Sequence, residues 1–372
     1  MLHLIAAGVL ALTPVTATTV PRLPEPTGPS PVGMTSLYLK DTSRPDPWVA
    51  GSTARELMVS LWYPAKAKGH RRVRYMTPKE SELFLRSAGI TGVPYDAMSR
   101  TRTNAYSDVE PAGRGRGLPL VVLSPGFTDP RSSLTALAED LASRGYMVAS
   151  IDHTYENHAM TFPDGRVVTC KACEVKKDEA FGPKLAAGRA ADVSFVVDRL
   201  TAAKPAWKGA RLIDPARIAM AGQSAGGAAT VAALVKDRRI RAGIDMDGTT
   251  FAPIPAKGLA KPFLFLGTEE MHSPGGKDVS WDRDWKLMTG WKRWLTAKGA
   301  EHASFTDVSF LADELGIRHG ATLSGSDSIK VTRAYTGAFF DLHLRGLKQP
   351  LLDKPSPRYP AVTIAKQAAP AG

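Results

Sequence analysis

Five short apolar runs, separated by stretches of helical periodicity, constrain this chain more than any other feature. They are Pro119–Leu123 (PLVVL), Met147–Ile151 (MVASI), Arg217–Ala221 (RIAMA), Ile240–Met246 (IRAGIDM) and Pro262–Leu266 (PFLFL). Strands that lack regular polar alternation are buried on both faces, and helices between them supply the cover, so the pattern predicts a doubly wound, mostly parallel sheet with helices on both faces. The predicted helices are Leu134–Ala142, Ala186–Leu200, Ala225–Val235, a Trp-rich Trp281–Lys298 and Ser328–Leu344. Upstream, Ser36–Lys40 and Leu57–Tyr63 alternate apolar with polar residues, as half-buried strands at the start of a sheet do. Residues 64–117 are less regular, with a short helix near Glu80–Arg86 and an exposed glycine and arginine run, Gly113–Gly117. With 43% hydrophobic and 23% charged residues, and 33 Gly plus 28 Pro in 372, the chain is neither disordered nor of low complexity.

Forty-eight Lys and Arg against 36 Asp and Glu give a formal charge of +12, which favours an anionic lipid or wall surface. The densest basic run, Arg71, Arg72 and Arg74, has no nucleic-acid-binding motif around it, and no nucleic acid partner is expected. Met1–Leu12 is apolar and is followed by Pro14 and the small-residue site Val15-Thr16-Ala17. Residues 1–17 therefore read as a secretory signal peptide, too short for a membrane span, although only His3 stands where a basic residue is usual. This predicts an extracellular protein. Residues 18–35 read as a proline-rich linker or wrap, 36–348 as a single α/β domain, and 349–372 as a loose tail rich in Pro and Ala.

The strand at Ile218–Ala221 runs into Gly222-Gln223-Ser224-Ala225-Gly226-Gly227 and then into an Ala-rich helix. This is G-x-S-x-G in a strand-turn-helix setting, where a serine on a sharp turn needs glycines around it so that backbones can approach without Cβ clashes. The turn also sets Ser224 at a helix N-terminus, whose unpaired amides favour developing negative charge. Acyl transfer needs two donors aimed at the tetrahedral oxygen. One is expected from Ala225, which follows the nucleophile, and one from Phe127 in Ser124-Pro125-Gly126-Phe127-Thr128, the loop after PLVVL.

A serine hydroxyl needs a base, and the base an orienting carboxylate, in the order Ser, acid, His. His272, His302, His319 and His343 follow Ser224. His302 lies in a loop where a late histidine would return to the sheet edge, whereas His343 falls inside a helix, His319 after a helix end, and His272 in a polar loop. For the acid, one strand ends in Asp245-Met246-Asp247-Gly248 and the next in Gly267-Thr268-Glu269-Glu270.

Together SPGFT, LASRGYMVASIDH and GQSAGG resemble the α/β-hydrolase superfamily, and within it the bacterial cutinase-like lipases and the plasma-type platelet-activating factor acetylhydrolases. The resemblance covers roughly residues 118–345, with a weaker match from about residue 33 (VGMTSLYLKD and ELMVSLWYPA) that favours the acetylhydrolases. Pro125-Gly126 is the donor loop of the cutinase-like lipases. The acetylhydrolases carry their acid at the end of the earlier strand, which implies Asp247, and follow the catalytic histidine with Phe and then Asp, which implies His302 before Phe305 and Asp307. The implied activity is cleavage of a short-chain or lipid-derived acyl ester through an acyl-enzyme on Ser224, His302 and Asp247, with no cofactor.

Two other functions compete: amide or peptide hydrolysis on the same triad, and a non-catalytic binding protein that retains the fold. Cys170 and Cys173 are expected to form a local disulfide, because a metal site would need two more ligands, with His153 and His158 as candidates, and the spacing matches no standard zinc module. No metal is expected. Arg189 and Asp192, three apart on a predicted helix, read as an exposed surface pair.

Overall fold

The computed structural model describes residues 20–251 and 253–368; the signal-peptide reading of residues 1–17 lies outside them. The chain enters with β1 (Val32–Asp41) and β2 (Arg55–Pro64), an antiparallel pair. β3 (Arg72–Arg74), α1 (Pro78–Ser87), α2 (Ala97–Arg100) and β4 (Arg102–Tyr106) follow. Thr77 and Glu80 cap α1 reciprocally, with Pro78 at its first position. The central strands begin with β5 (Leu118–Ser124), and α3 (Thr135–Ser143) leads to β6 (Met147–His153). A ribbon of β7 (Met160–Thr161) and β8 (Val167–Val168) precedes α4 (Phe181–Thr201). Then come β9 (Ile213–Gln223), α5 (Ala225–Lys236), β10 (Ile240–Met246), β11 (Phe263–Thr268), α6 (Glu269–His272), α7 (Ser280–Leu287) and β12 (Lys292–Ala297). The chain closes with α8 (Asp307–Glu314), α9 (Gly325–Arg345) and β13 (Val362–Ala368).

Eleven strands form one sheet in the order β13-β12-β11-β10-β9-β5-β6-β2-β1-β4-β3. From β6 to β12 the neighbours run parallel, with antiparallel pairs towards each edge. Successive residues of the central strands feed opposite faces: Leu120 and Val122 of β5 join one core with α4 and α5, and Val121 and Leu123 join another with α3 and α9. β6 lies on one side of β5, and the next central strand, β9, on the other. The chain thus reverses its winding between β5 and β9, where open α/β sheets form a crevice at the carboxyl ends of the strands.

Three expectations are corrected. The helix predicted over Trp281–Lys298 ends at Leu287, and Lys292–Ala297 is a sheet strand between β11 and β13. Gly290 marks the break: a Cβ there would lie 2.2 Å from the Ala260 carbonyl oxygen, so only glycine lets the chain pass this close to the segment that leads into β11. The tail expected to be loose over 349–372 instead supplies β13, which pairs antiparallel with β12. Residues 102–106, within the stretch expected to be irregular, form β4. The proline-rich segment before β1 lies against the body, with Leu23 fully buried, Thr27 donating to Asp140 at 2.8 Å, and Arg333 donating to the Pro24 and Glu25 carbonyls at 3.0 and 2.9 Å.

Candidate active site

β9 ends at Gln223, and Ser224 turns the chain into α5 with φ 56° and ψ −120°, a conformation L-residues avoid. The turn is pinned to the next strand by the Ser224 N–H, which donates to the Met246 carbonyl at 2.9 Å. A Cβ on Gly226 would stand 1.9 Å from the Ser124 carbonyl oxygen, so only glycine lets α5 start this close to β5. Ala225 is the first residue of α5, where the amide has no intrahelical acceptor. Phe127 follows β5 across the crevice, and its N–H finds no acceptor among the described residues. Beside it Thr128 is also at positive φ, 76°.

Asp247 follows β10 with φ 58°. Its Oδ2 accepts from His302 Nδ1 at 2.6 Å, while its Oδ1 accepts from the Thr268 N–H at 2.6 Å and from His272 Nδ1 at 2.8 Å. Burial alone would raise this carboxyl; the bonds from His272 and His302 outweigh it and hold Asp247 well below the usual carboxylate range. The His302 side chain is 58% exposed against 1% for Asp247, so the ring bridges the buried acid and the crevice. Its backbone is fixed by Gln223, whose Nε2 donates to the His302 carbonyl at 2.9 Å. Gln223, the residue just before Ser224, therefore ties the serine turn to the histidine turn.

The other candidates are placed differently, and His272 alone of them also contacts Asp247. Asp245 is fully buried under the serine turn, accepts from the Gly248 N–H at 2.9 Å, and is pushed well above its ordinary value by burial. Glu269 and Glu270 are exposed on α6. His319 bonds Asp313 at 2.8 Å, and His343 packs on Trp291 and Phe339. His272, expected in a polar loop, is buried on Asp247.

Ser224, Ala225, Asp247, His302 and Phe127 face one cavity of about 460 Å³. Phe127 meets Phe181 edge to face at 5.5 Å, and Phe251 lies over Gly182, where a Cβ would come within 2.7 Å of its ring. Cys170 and Cys173 are joined in a disulfide at the base of the loop whose Lys177, Asp178 and Glu179 form the rim.

Arg189 and Asp192, expected as an exposed pair, are buried at 1% and 0% exposure and do not pair with each other. Arg189 donates to Glu156 at 2.7 Å, to the Gly126 carbonyl at 3.3 Å and to the Pro125 carbonyl, so it clamps the loop carrying the Phe127 amide. His153 spans Ser124 Oγ at 2.9 Å and Asp192 at 2.7 Å, and the buried Arg55 joins Asp46, Asp192 and Glu156. Burial would raise Asp192, but the Arg55 charge outweighs it and holds the carboxylate far below its ordinary range. The signal for burial was present: Arg189 lies on the helix face of Ala186, Ala190 and Val193, and Asp192 stands between Arg189 and Val196 on the buried side of α4. Arg189→Met leaves Glu156 short of a partner in a dry site and should lower stability by about 3 kcal/mol, read from urea unfolding. An unchanged midpoint would count against the clamp.

The family described as platelet-activating factor acetylhydrolase, isoform II, matches residues 15–172 and 206–339. A probable 1-alkyl-2-acetylglycerophosphocholine esterase of Arthroderma benhamiae is 28% identical, over 92% of this chain and 93% of its own. The platelet-activating factor acetylhydrolase of Canis lupus familiaris is 25% identical, over 88% and 78%. Among solved structures, a ferulic acid esterase from Streptomyces cinnamoneus superposes with a TM-score of 0.82 at 41% identity, covering 94% of this chain and all of that one.

Proposed function

Because the chain belongs to the platelet-activating factor acetylhydrolase, isoform II family, we propose that it is a serine ester hydrolase with Ser224 as nucleophile, His302 as base and Asp247 as the orienting acid. What carries the reading is the convergence of a strained serine turn and a 2.6 Å His302–Asp247 contact on one cavity. In it, Ser224 Oγ attacks the acyl carbonyl carbon as His302 Nε2 takes the hydroxyl proton. The carbonyl electrons move onto oxygen, which the Phe127 and Ala225 amides hold. Collapse expels the alcohol, which leaves with the proton from His302. Water, deprotonated in the same way, then attacks the acyl-enzyme and frees the acid and Ser224. Asp247 keeps the imidazole in the tautomer that can accept from serine.

The acyl group we assign is a planar aromatic one. Phe127, Phe181 and Phe251 around the cavity support this, as does the 41% identity to a protein named for ferulic acid. Removal of an acetyl group from a lipid is the second reading, favoured by the acetylglycerophosphocholine esterase that matches 92% of the chain. The test is a set of initial rates on methyl ferulate, p-nitrophenyl esters from acetate to palmitate, and 1-alkyl-2-acetylglycerophosphocholine, with fluorophosphonate labelling alongside. The largest kcat/KM on methyl ferulate is expected. Preference for the acetyl lipid would replace the aromatic reading with the second. No turnover and no label would end the ester hydrolase reading.

Secretion is part of the proposal. The Cys170–Cys173 bridge suits an oxidising compartment, and among the described residues no helix is long and apolar enough to cross a membrane. N-terminal sequencing of protein recovered from culture medium should find the chain starting after Ala17; a chain starting at Met1, retained in cells, would reject it. The charge of +12 supports contact with an anionic lipid or wall surface.

A further inference from the structure

We propose that His272 is a positioning residue for the catalytic carboxylate, holding Asp247 from the side opposite His302, joining it to the loop beside the acyl cavity, and offsetting the negative charge that His302 meets. The inference rests on the proposed triad of Ser224, His302 and Asp247. Asp247 stands between two imidazoles, with His302 Nδ1 on Oδ2 at 2.6 Å and His272 Nδ1 on Oδ1 at 2.8 Å. The far nitrogen of His272 lies 3.4 Å from Asp278 Oδ2, a contact of charge rather than a well-directed hydrogen bond. A neutral imidazole carries one N–H, so a ring set between two carboxylates, with neither nitrogen meeting a donor, calls for the doubly protonated form. The two carboxylates outweigh the effect of burial and raise His272 to about 9.

Asp278 extends the line. It accepts from the Thr249 hydroxyl and from the Ser280 N–H at 2.7 Å, and Ser280 Oγ accepts from the Thr250 N–H at 3.0 Å. Thr249 and Phe251 border the cavity, so the acid and the cavity wall are tied through one charged ring. The ring itself cannot slide, since it stacks on Trp281 at 4.1 Å and its carbonyl accepts from Trp294 Nε1 at 2.6 Å.

A packing role alone would need only the ring's shape, and the charges separate the two accounts. Facing His272 are Asp247 and Asp245 from the end of β10 and Asp278 from the loop before α7; burial pushes Asp245 well above its ordinary value. Ionised Asp247 and Asp278 with protonated His272 leave a net charge of −1 beside His302. His272→Gln keeps a donor to Asp247 but leaves −2, which favours the imidazolium of His302. Asp278→Asn, with His272 still charged through its bond to Asp247, leaves zero, which disfavours it. Asp129, which also faces His302 from the β5 loop, is untouched by either substitution.

The acidic limb of kcat/KM against pH, on whichever ester the protein turns over fastest, should therefore move up by about one unit in H272Q and down by a smaller interval in D278N. The ring-proton NMR titration of His302, which needs no turnover, should shift with it. Shifts of opposite sign in the two folded variants are the expected result. A limb and a titration that stay put, or move the same way in both, would overturn the inference. Absence of ester turnover in the unaltered protein with opposite NMR shifts intact would sink the hydrolase reading instead and leave the role of His272 standing.

Discussion

Ser224→Ala should lower kcat/KM by about 10⁴-fold or more and abolish fluorophosphonate labelling, with the unfolding midpoint almost unchanged. The substitution removes one oxygen atom and nothing else. Alanine meets the same steric penalty as serine at φ 56°, and the Ser224 N–H to Met246 bond that pins the turn is retained. The Phe127 and Ala225 amides remain, so some acceleration by oxyanion binding survives and substrate affinity should change little. Activity within tenfold of the unaltered protein would show that another group is the nucleophile.

The second large effect is at Asp247. Asp247→Asn should lower kcat by about 10⁴-fold with KM within a few-fold of its starting value. The amide is isosteric, but its NH2 group can face His302 Nδ1 only if that nitrogen gives up its proton. The proton then sits on Nε2, which can no longer accept from serine. The same change disturbs the Thr268 and His272 bonds at Oδ1, so the loss should not be rescued by raising pH. Asp245→Asn is the control. Burial pushes Asp245 well above its ordinary value, an amide is the same size as the carboxyl, and activity should fall less than tenfold. Reversed effects at 245 and 247 would move the acid to Asp245.

What could be read from the sequence and what could not have physical causes. β5, β9 and β11 were legible because strands buried on both faces have no polar alternation to blur them, and Ser224 because the turn that presents it demands glycines at fixed offsets. Lys292–Ala297 was not, since Trp281, Trp285, Trp291 and Trp294 recur at spacings that suit a helix while Trp294 and Leu295 also suit the two faces of a strand. β13 was hidden by the proline- and alanine-rich stretches around Val362–Ala368. Asp245 and Asp247 are two apart, and which of them faces the histidine depends on a left-handed turn at Asp247 that composition does not announce. Arg189 and Asp192 show the limit of charge patterning: a pair three apart looks alike on a wet face and on a dry one. The apolar neighbours on the same helix face carried the missing signal.

Thr128, Ser224 and Asp247 are three of the five non-glycine residues held at positive φ among the described residues, and all three stand around one crevice. Each such residue raises the free energy of the native chain by about 1–3 kcal/mol, and the surrounding packing must hold it there. At Ser224, where the side chain makes no bond that holds the fold, selection for heat resistance alone would therefore drift towards glycine, and would discard the proposed nucleophile. Thermal robustness and turnover pull in opposite directions at this end of the sheet, and the catalytic sequence records where that contest came to rest.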